Sequence, residues 1–291
     1  MAKVKNKLKP VNAPVYNYWE ALYRSFYSRL LYIDVGKRWR GLGLLYFLLT
    51  IALFSIPFAV RVAMNLNQSF NNQIIDPLFQ LPPVYVQNGQ VSFDKPMPYF
   101  IKNKEGQAVI IVDTTGAVTN LSKDYPYLNV LITKNKIIFK LPTPELFTMT
   151  APEQNKGVAW EQTLSPEMNT VFDGKKLVED NSIVTLKYLS ELMIYPIVIG
   201  LIFGIFVVLF LAMALLGQVF SRIFFSFSLG FVQSSRLLMV AVTPMLLVLM
   251  ILLTVNVMFP GFGFILMALL AAYFSFAISA VKSDSRKVVP T

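Results

Sequence analysis

Four apolar stretches, each about as long as a bilayer is thick, constrain this chain more than any other feature. They run from Gly41 to about Val60, from Leu192 to Gly217 with no charge inside, from about Leu237 to Phe259, and from about Gly261 to Val281. A hydrocarbon core of roughly 30 Å takes about 20 apolar residues as helix, because every backbone group must be satisfied within the segment. The first stretch is not a secretory signal, since it is too long and no small-residue cleavage pattern follows it. Only 14% of the residues are charged, against about 25% in soluble domains. The sequence predicts an α-helical membrane protein with four transmembrane helices and one long insertion between the first and second.

Charge sets the expected orientation. Residues 1–40 hold nine Lys or Arg and two acids, whereas residues 64–190 hold 11 basic and 12 acidic residues. The second-to-third connection carries Arg222 and Arg236 without an acid, and the C-terminal tail carries Lys282, Arg286 and Lys287 against Asp284. By the positive-inside rule both termini and residues 218–236 lie in the cytoplasm of a bacterial inner membrane, and the insertion lies outside. The expected segments are 1–40 cytoplasmic, 41–63 membrane, 64–191 external, 192–217 membrane and 218–236 an interfacial elbow. Two further spans over 237–281, joined at Pro260-Gly261, precede a tail over 282–291. The basic excess beside the first span reads as contact with anionic lipid headgroups and not as nucleic-acid binding.

Residues 15–32 read as one amphipathic helix lying at the lipid interface, with Trp19, Leu22, Tyr23, Phe26, Tyr27, Leu30 and Leu31 on one face. Trp19, Tyr23, Phe26, Arg38, Trp39 and Arg40 are the candidate interface residues. The insertion reads as strands, a small β-rich (α+β) domain. Asn88-Gly89 between alternating apolar residues is a strong hairpin signal. Tyr99–Lys102 and Ala108–Val112 form a second hairpin, Ala117–Leu121 a further strand, and Val130–Thr133 with Ile137–Leu141 another pair. Residues 145–175 show no periodicity, and a helical pattern resumes near Lys176.

Chemistry is narrowed by omission. With no His and no Cys, the commonest general base and metal ligand, thiolate nucleophiles and Cys-held metal centres are excluded. No phosphate loop or nucleophile elbow occurs, so no catalytic residue, metal ligand or cofactor is expected. Asp113-Thr114-Thr115-Gly116 reads as a turn. Carboxylates from Asp94 to Asp180, among them Glu105, Asp124, Glu145, Glu153, Glu161, Glu167, Asp173 and Glu179, read as solvated surface, with an envelope enzyme acting on a lipid-linked or glycan substrate as the alternative. The spans carry no internal charge and, interrupted by a 127-residue insertion (64–190), show no inverted-repeat symmetry, which argues against a stand-alone transporter. Gly200, Gly204, Ala268, Ala271 and Ala272 are candidate helix-packing positions, within the bundle or toward a membrane-protein partner or second copy. Ser55-Pro57 and Thr243-Pro244 mark expected kinks.

The runs Ala21 to Arg29 (ALYRSFYSR), Arg38 to Tyr46 (RWRGLGLLY) and Ser55-Ile56-Pro57 resemble an uncharacterised family of bacterial integral membrane proteins, a domain of unknown function. So do Leu81-Pro82 ahead of Asn88-Gly89, the turn from Ile110 to Gly116, and Arg236 to Pro244. Some relatives carry a maltodextrin-utilisation label, which points to genomic association more than to activity. The resemblance implies four spans with an external β-rich domain after the first. It supplies no site residues. The leading expectation is a non-enzymatic accessory, scaffold or sensor of the cell envelope; a transporter accessory subunit or a small channel is a further alternative.

Overall fold

The computed structural model describes residues 13–121, 125–141, 159–180 and 182–288. Its helices are α1 (Tyr18–Arg24), α2 (Arg29–Lys37), α3 (Leu44–Phe54), α4 (Ile56–Phe70) followed by a π-turn (Asn71–Ile75), α5 (Asp76–Gln80), α6 (Gly174–Glu179), α7 (Ser182–Phe225), α8 (Phe231–Ala241), α9 (Thr243–Val255) and α10 (Phe262–Val288). The strands are β1 (Val84–Gln87), β2 (Gln90–Ser92), β3 (Tyr99–Lys102), β4 (Ala108–Val112), β5 (Val130–Ile132), β6 (Lys136–Lys140), β7 (Ala159–Thr163) and β8 (Thr170–Phe172). The chain divides into two compact units, residues 1–58 with 196–291, and residues 59–195.

The first unit is helical. The single helix expected over 15–32 is two helices. Asn17 and Glu20 form a reciprocal capping box that starts α1. The Ser28 hydroxyl then accepts from Leu31 N and starts α2, while the buried Tyr32 hydroxyl donates to Ser25 O at 2.6 Å, a carbonyl that an unbroken helix would have used itself. Trp19, Tyr23, Tyr27 and Leu30 remain exposed, but Leu31 is fully buried.

Both expected kinks are present. Segments α3 and α4 bend by 48° at Ser55, and α8 and α9 by 42° at Val242. Proline strips the carbonyl four residues earlier of its amide partner. At Pro57 that carbonyl is Leu53 O, while Ser55 N still closes the last turn of α3 on Ile51 O at 2.9 Å. At Pro244 it is Val240 O, which accepts from the Thr243 hydroxyl at 2.9 Å. Two helices, Ile183–Phe225 and Phe262–Arg286, are long and apolar enough to cross a membrane, or up to four spans exist if each bent pair is one. The segment expected as an elbow is mostly helix: α7 continues to Phe225, and only 226–230 are irregular before α8.

The second unit is β-rich. Strand β1 lies between β2 and β8, and a five-stranded sheet runs β3-β4-β5-β6-β7. Asn88 and Gly89 take φ values of 52° and 71°, the paired left-handed geometry of a two-residue hairpin. Strands β4 and β5 pair in parallel, the other pairs antiparallel. Ile101, Ile110, Val112 and Ile132 pack with Phe70, Ile74 and Leu78 in one core. On the opposite face Ile111, Leu131 and Ile138 pack with Val118 and Leu128. Residues 117–121 form no strand. The Asp113 carboxylate accepts from Thr115 N, Thr115 Oγ1 and Val118 N at 2.6–2.8 Å, so the Val118 amide is turned back onto this carboxylate and away from a strand ladder. Strands β7 and β8 lie in the stretch whose pattern suggested none.

Candidate functional site

The densest polar cluster in the first unit is built on Asp34, in the penultimate turn of α2 and 2% exposed. Its carboxylate accepts from Val15 N at 3.0 Å, Tyr16 N at 3.1 Å and the Trp39 indole Nε1 at 3.2 Å, with Arg38 Nη1 at 3.4 Å. A buried charge persists only when its lone pairs are filled, and here backbone and indole donors fill them. The carboxylate thereby pins the chain before α1 and the loop after α2. Trp39 is held with its ring 5.0 Å from Tyr18 and 5.6 Å from Tyr46.

Helix α8 closes the same place from its other side. Arg236 donates through Nη1 to Trp39 O and through Nη2 to Gly36 O at 2.7 Å, and Gln233 donates to Gly36 O at 3.0 Å. Ser235 donates to Leu42 O and Ser234 to Ala214 O. The carbonyls at the end of α2 are orphans carrying the negative end of its dipole, so a guanidinium is the favourable donor there. Gly36 also permits close packing of α2 on α10, since a Cβ built on it would stand 2.8 Å from Val281. One turn above, the Tyr46 and Thr243 hydroxyls meet at 2.7 Å beside the bend.

The residues picked from sequence are distributed differently. Trp19 and Tyr23 are exposed, Arg38 and Arg40 are exposed, Phe26 is half-buried, and Trp39 is buried at 4% exposure. Gly200 and Gly204 are exposed, and a Cβ built on either meets nothing within 4 Å. Ala268, Ala271 and Ala272 are exposed as well. Close packing inside this unit falls instead to Gly217, where a Cβ would stand 2.8 Å from Phe274 and from Ser234 Oγ. Asp34, Arg236, Gly36 and Gly217 escape motif-based reading of the sequence. Asp34 and Arg236 nonetheless carry a signal. One is among only two acids in the basic segment 1–40, the other is a lone cation five residues into an apolar helix, and each needs a partner.

The second unit holds its own polar chain. Lys187, 8% exposed, donates to Asn71 Oδ1 at 3.0 Å; Asn71 donates to Asn67 at 3.1 Å; Asn67 donates to Glu191 at 2.8 Å. The two Asn and the Lys–Glu pair are each spaced by four residues, so each pair shares a helix face. The bonds run in one sense from ammonium to carboxylate. The described carboxylates of this unit mostly hold structure together. Asp76 pairs with Lys104 at 2.7 Å and Glu161 with Lys136 at 3.0 Å. Glu105 accepts from Asn72, and Asp173 caps α6. Asp94, Glu167, Glu179 and Asp180 are exposed. Asp124, Glu145 and Glu153 lie outside the described residues. Among the described residues no three acids gather as a metal site.

Neither a curated protein nor a solved structure matches this chain. A model of a family described as a protein of unknown function, DUF1189, matches residues 19–278. That match takes in Asp34, Trp39 and Arg236, the bent pairs, α7 and the β-rich unit together, and the chain belongs to the DUF1189 family.

Proposed function

We propose that the chain is a four-span protein of a bacterial inner membrane with both termini in the cytoplasm and residues 64–191 outside. In this reading α3 with the start of α4, α7, α8 with α9, and α10 are the spans. The external β-rich domain binds or senses, and the helical bundle anchors it or docks a membrane partner. The role is that of a non-enzymatic accessory or sensor. The observation that carries it is the use of the external acids. Asp76, Glu105, Asp113, Glu161, Asp173 and Glu191 are engaged in ion pairs, caps, turns and the Lys187 chain. Among the described residues of this unit that leaves Asp94, Glu167, Glu179 and Asp180, all exposed to solvent. A glycosidase-type mechanism requires two facing carboxyl groups.

The test is complementation of a deletion strain. Alanine at Asp94, Glu167, Glu179 or Asp180 is expected to leave the phenotype restored, with protein amount unchanged. Loss of complementation by one of them at normal protein level would contradict the accessory reading in favour of an enzyme. Purification in gentle detergent followed by intact-complex mass spectrometry is expected to retain a stoichiometric membrane partner.

A further inference from the structure

A cavity of about 410 Å³ opens beside the Asp34 cluster, lined by Pro14, Tyr16, Asn17, Tyr18, Trp39 and Arg40. Pockets that take small ligands run from about 300 to 1,000 Å³. The lining has one charged group, the Arg40 guanidinium, and no carboxylate. Two acids border it, and both are engaged: Asp34 by Val15, Tyr16, Trp39 and Arg38, and Glu20 by Asn17 N at 3.2 Å. The Asn17 carbonyl oxygen is occupied by Glu20 N, which leaves its amide Nδ2 as a donor. The wall is already fixed: Asp34 holds Tyr16 by its backbone and Trp39 by its indole, and Trp39 packs on Tyr18. A donor-bearing pocket whose lining holds no carboxylate, and whose bordering acids are already engaged, selects an anion, and a guanidinium fork matches the two free oxygens of a phosphodiester.

We infer that this cavity binds the headgroup of an anionic phospholipid, with its phosphodiester on Arg40. Lipid, and not a free phosphate, is favoured by the surroundings. Arg40 stands four residues before α3, whose Leu45 and Leu48 are exposed, so a headgroup there would have apolar surface for its chains. The aromatic stripe of Trp19, Tyr23 and Tyr27 on the neighbouring α1 and its following turn is exposed too, as residues at headgroup depth are. The assignment to the cytoplasmic leaflet rests on the proposed topology; the binding itself does not.

The full chain, in nanodiscs of mixed phosphatidylglycerol and phosphatidylcholine, is extracted into mild detergent, and retained lipid is counted by native mass spectrometry. The expected result is retained phosphatidylglycerol on the wild type and at least a tenfold loss with Arg40→Gln. Arg222→Gln, which removes an exposed cation elsewhere, should leave it in place, as should addition of millimolar inorganic phosphate. Arg40→Lys, which keeps the charge but loses the fork, should retain less than wild type and more than Arg40→Gln. Equal losses with Arg40→Gln and Arg222→Gln would reduce the effect to general charge and overturn the site. Retention unaffected by Arg40→Gln would overturn it, and displacement by inorganic phosphate would assign the cavity to a soluble anion. Because both nanodisc leaflets carry the lipid, these outcomes are independent of which side of the membrane Arg40 occupies.

Discussion

The two units each contain a polar network around a buried charged residue, Asp34 in one and Lys187 in the other, and the two are built on different terms. In the helical unit Asp34 and Arg236 bond mostly to backbone: amides of Val15 and Tyr16, carbonyls of Gly36 and Trp39. In the β-rich unit Lys187, Asn71, Asn67 and Glu191 bond to one another's side chains. Backbone partners cannot be retyped by mutation or swing to a new rotamer, so the first network fixes where chain segments cross. Side-chain partners can re-pair or reach water, so the second aligns two helices at lower cost if broken.

Substitution should expose that contrast. Asp34→Ala leaves a buried indole donor and two part-buried amides without their acceptor and should destabilise the protein by about 3 kcal/mol, read as a fall in the unfolding midpoint in detergent. Asp34→Asn, which keeps an acceptor, should cost less. Were Asp34→Ala no more costly than Lys187→Met, the distinction between the networks would be void. Next in size is Gly217→Leu, which overfills the approach to Phe274 and Ser234 and should cost about 1–3 kcal/mol. Gly200→Leu and Gly204→Leu, on an open face, should stay within about 0.5 kcal/mol for the isolated chain. Lys187→Met should cost about 1 kcal/mol, and a double-mutant cycle with Glu191→Gln should show non-additivity, since the two ends polarise one chain of bonds.

A pH-dependent effect concerns Asp113. Burial works to raise its pKa, but the Thr115 hydroxyl and the amides of Val118, Thr115 and Gly116 outweigh that and hold it below the ordinary carboxylate value. A depressed carboxylate contributes stability above its unfolded pKa and loses it as pH falls through the folded one. Thr115→Val removes one of those donors, so the folded pKa rises. The variant should be less stable by about 1 kcal/mol at neutral pH, and the gap to wild type should close as acid protonates Asp113 in both. A gap that widens in acid would contradict the assignment.

Much of the local structure was legible. Asn88-Gly89 marks its hairpin because only residues tolerant of positive φ fit there, and Pro57 and Pro244 mark the bends through the carbonyls they orphan. What was not legible depends on distant partners. Alternation over Ala117–Leu121 reads as a strand, yet Asp113 captures the Val118 amide. Pattern alone carries no pairing direction, so the parallel β4–β5 ladder was out of reach. Gly200 and Gly204 share the helix-packing spacing but face open space, whereas Gly217 has no motif and makes the close contact. Asp34 was hidden for a similar reason, since two of its donors are amides 18 and 19 residues earlier in the chain.

The most direct test of the account is the sidedness of the membrane topology. The chain has no native Cys, so single cysteines report without background. Asp94→Cys, Lys175→Cys, Arg222→Cys and Ser283→Cys, all at exposed positions, are treated in intact spheroplasts with a membrane-impermeant maleimide. The account predicts labelling at positions 94 and 175, with positions 222 and 283 labelled only after the membrane is opened. Labelling of position 222 or 283 from outside, or protection of 94 and 175, would contradict it.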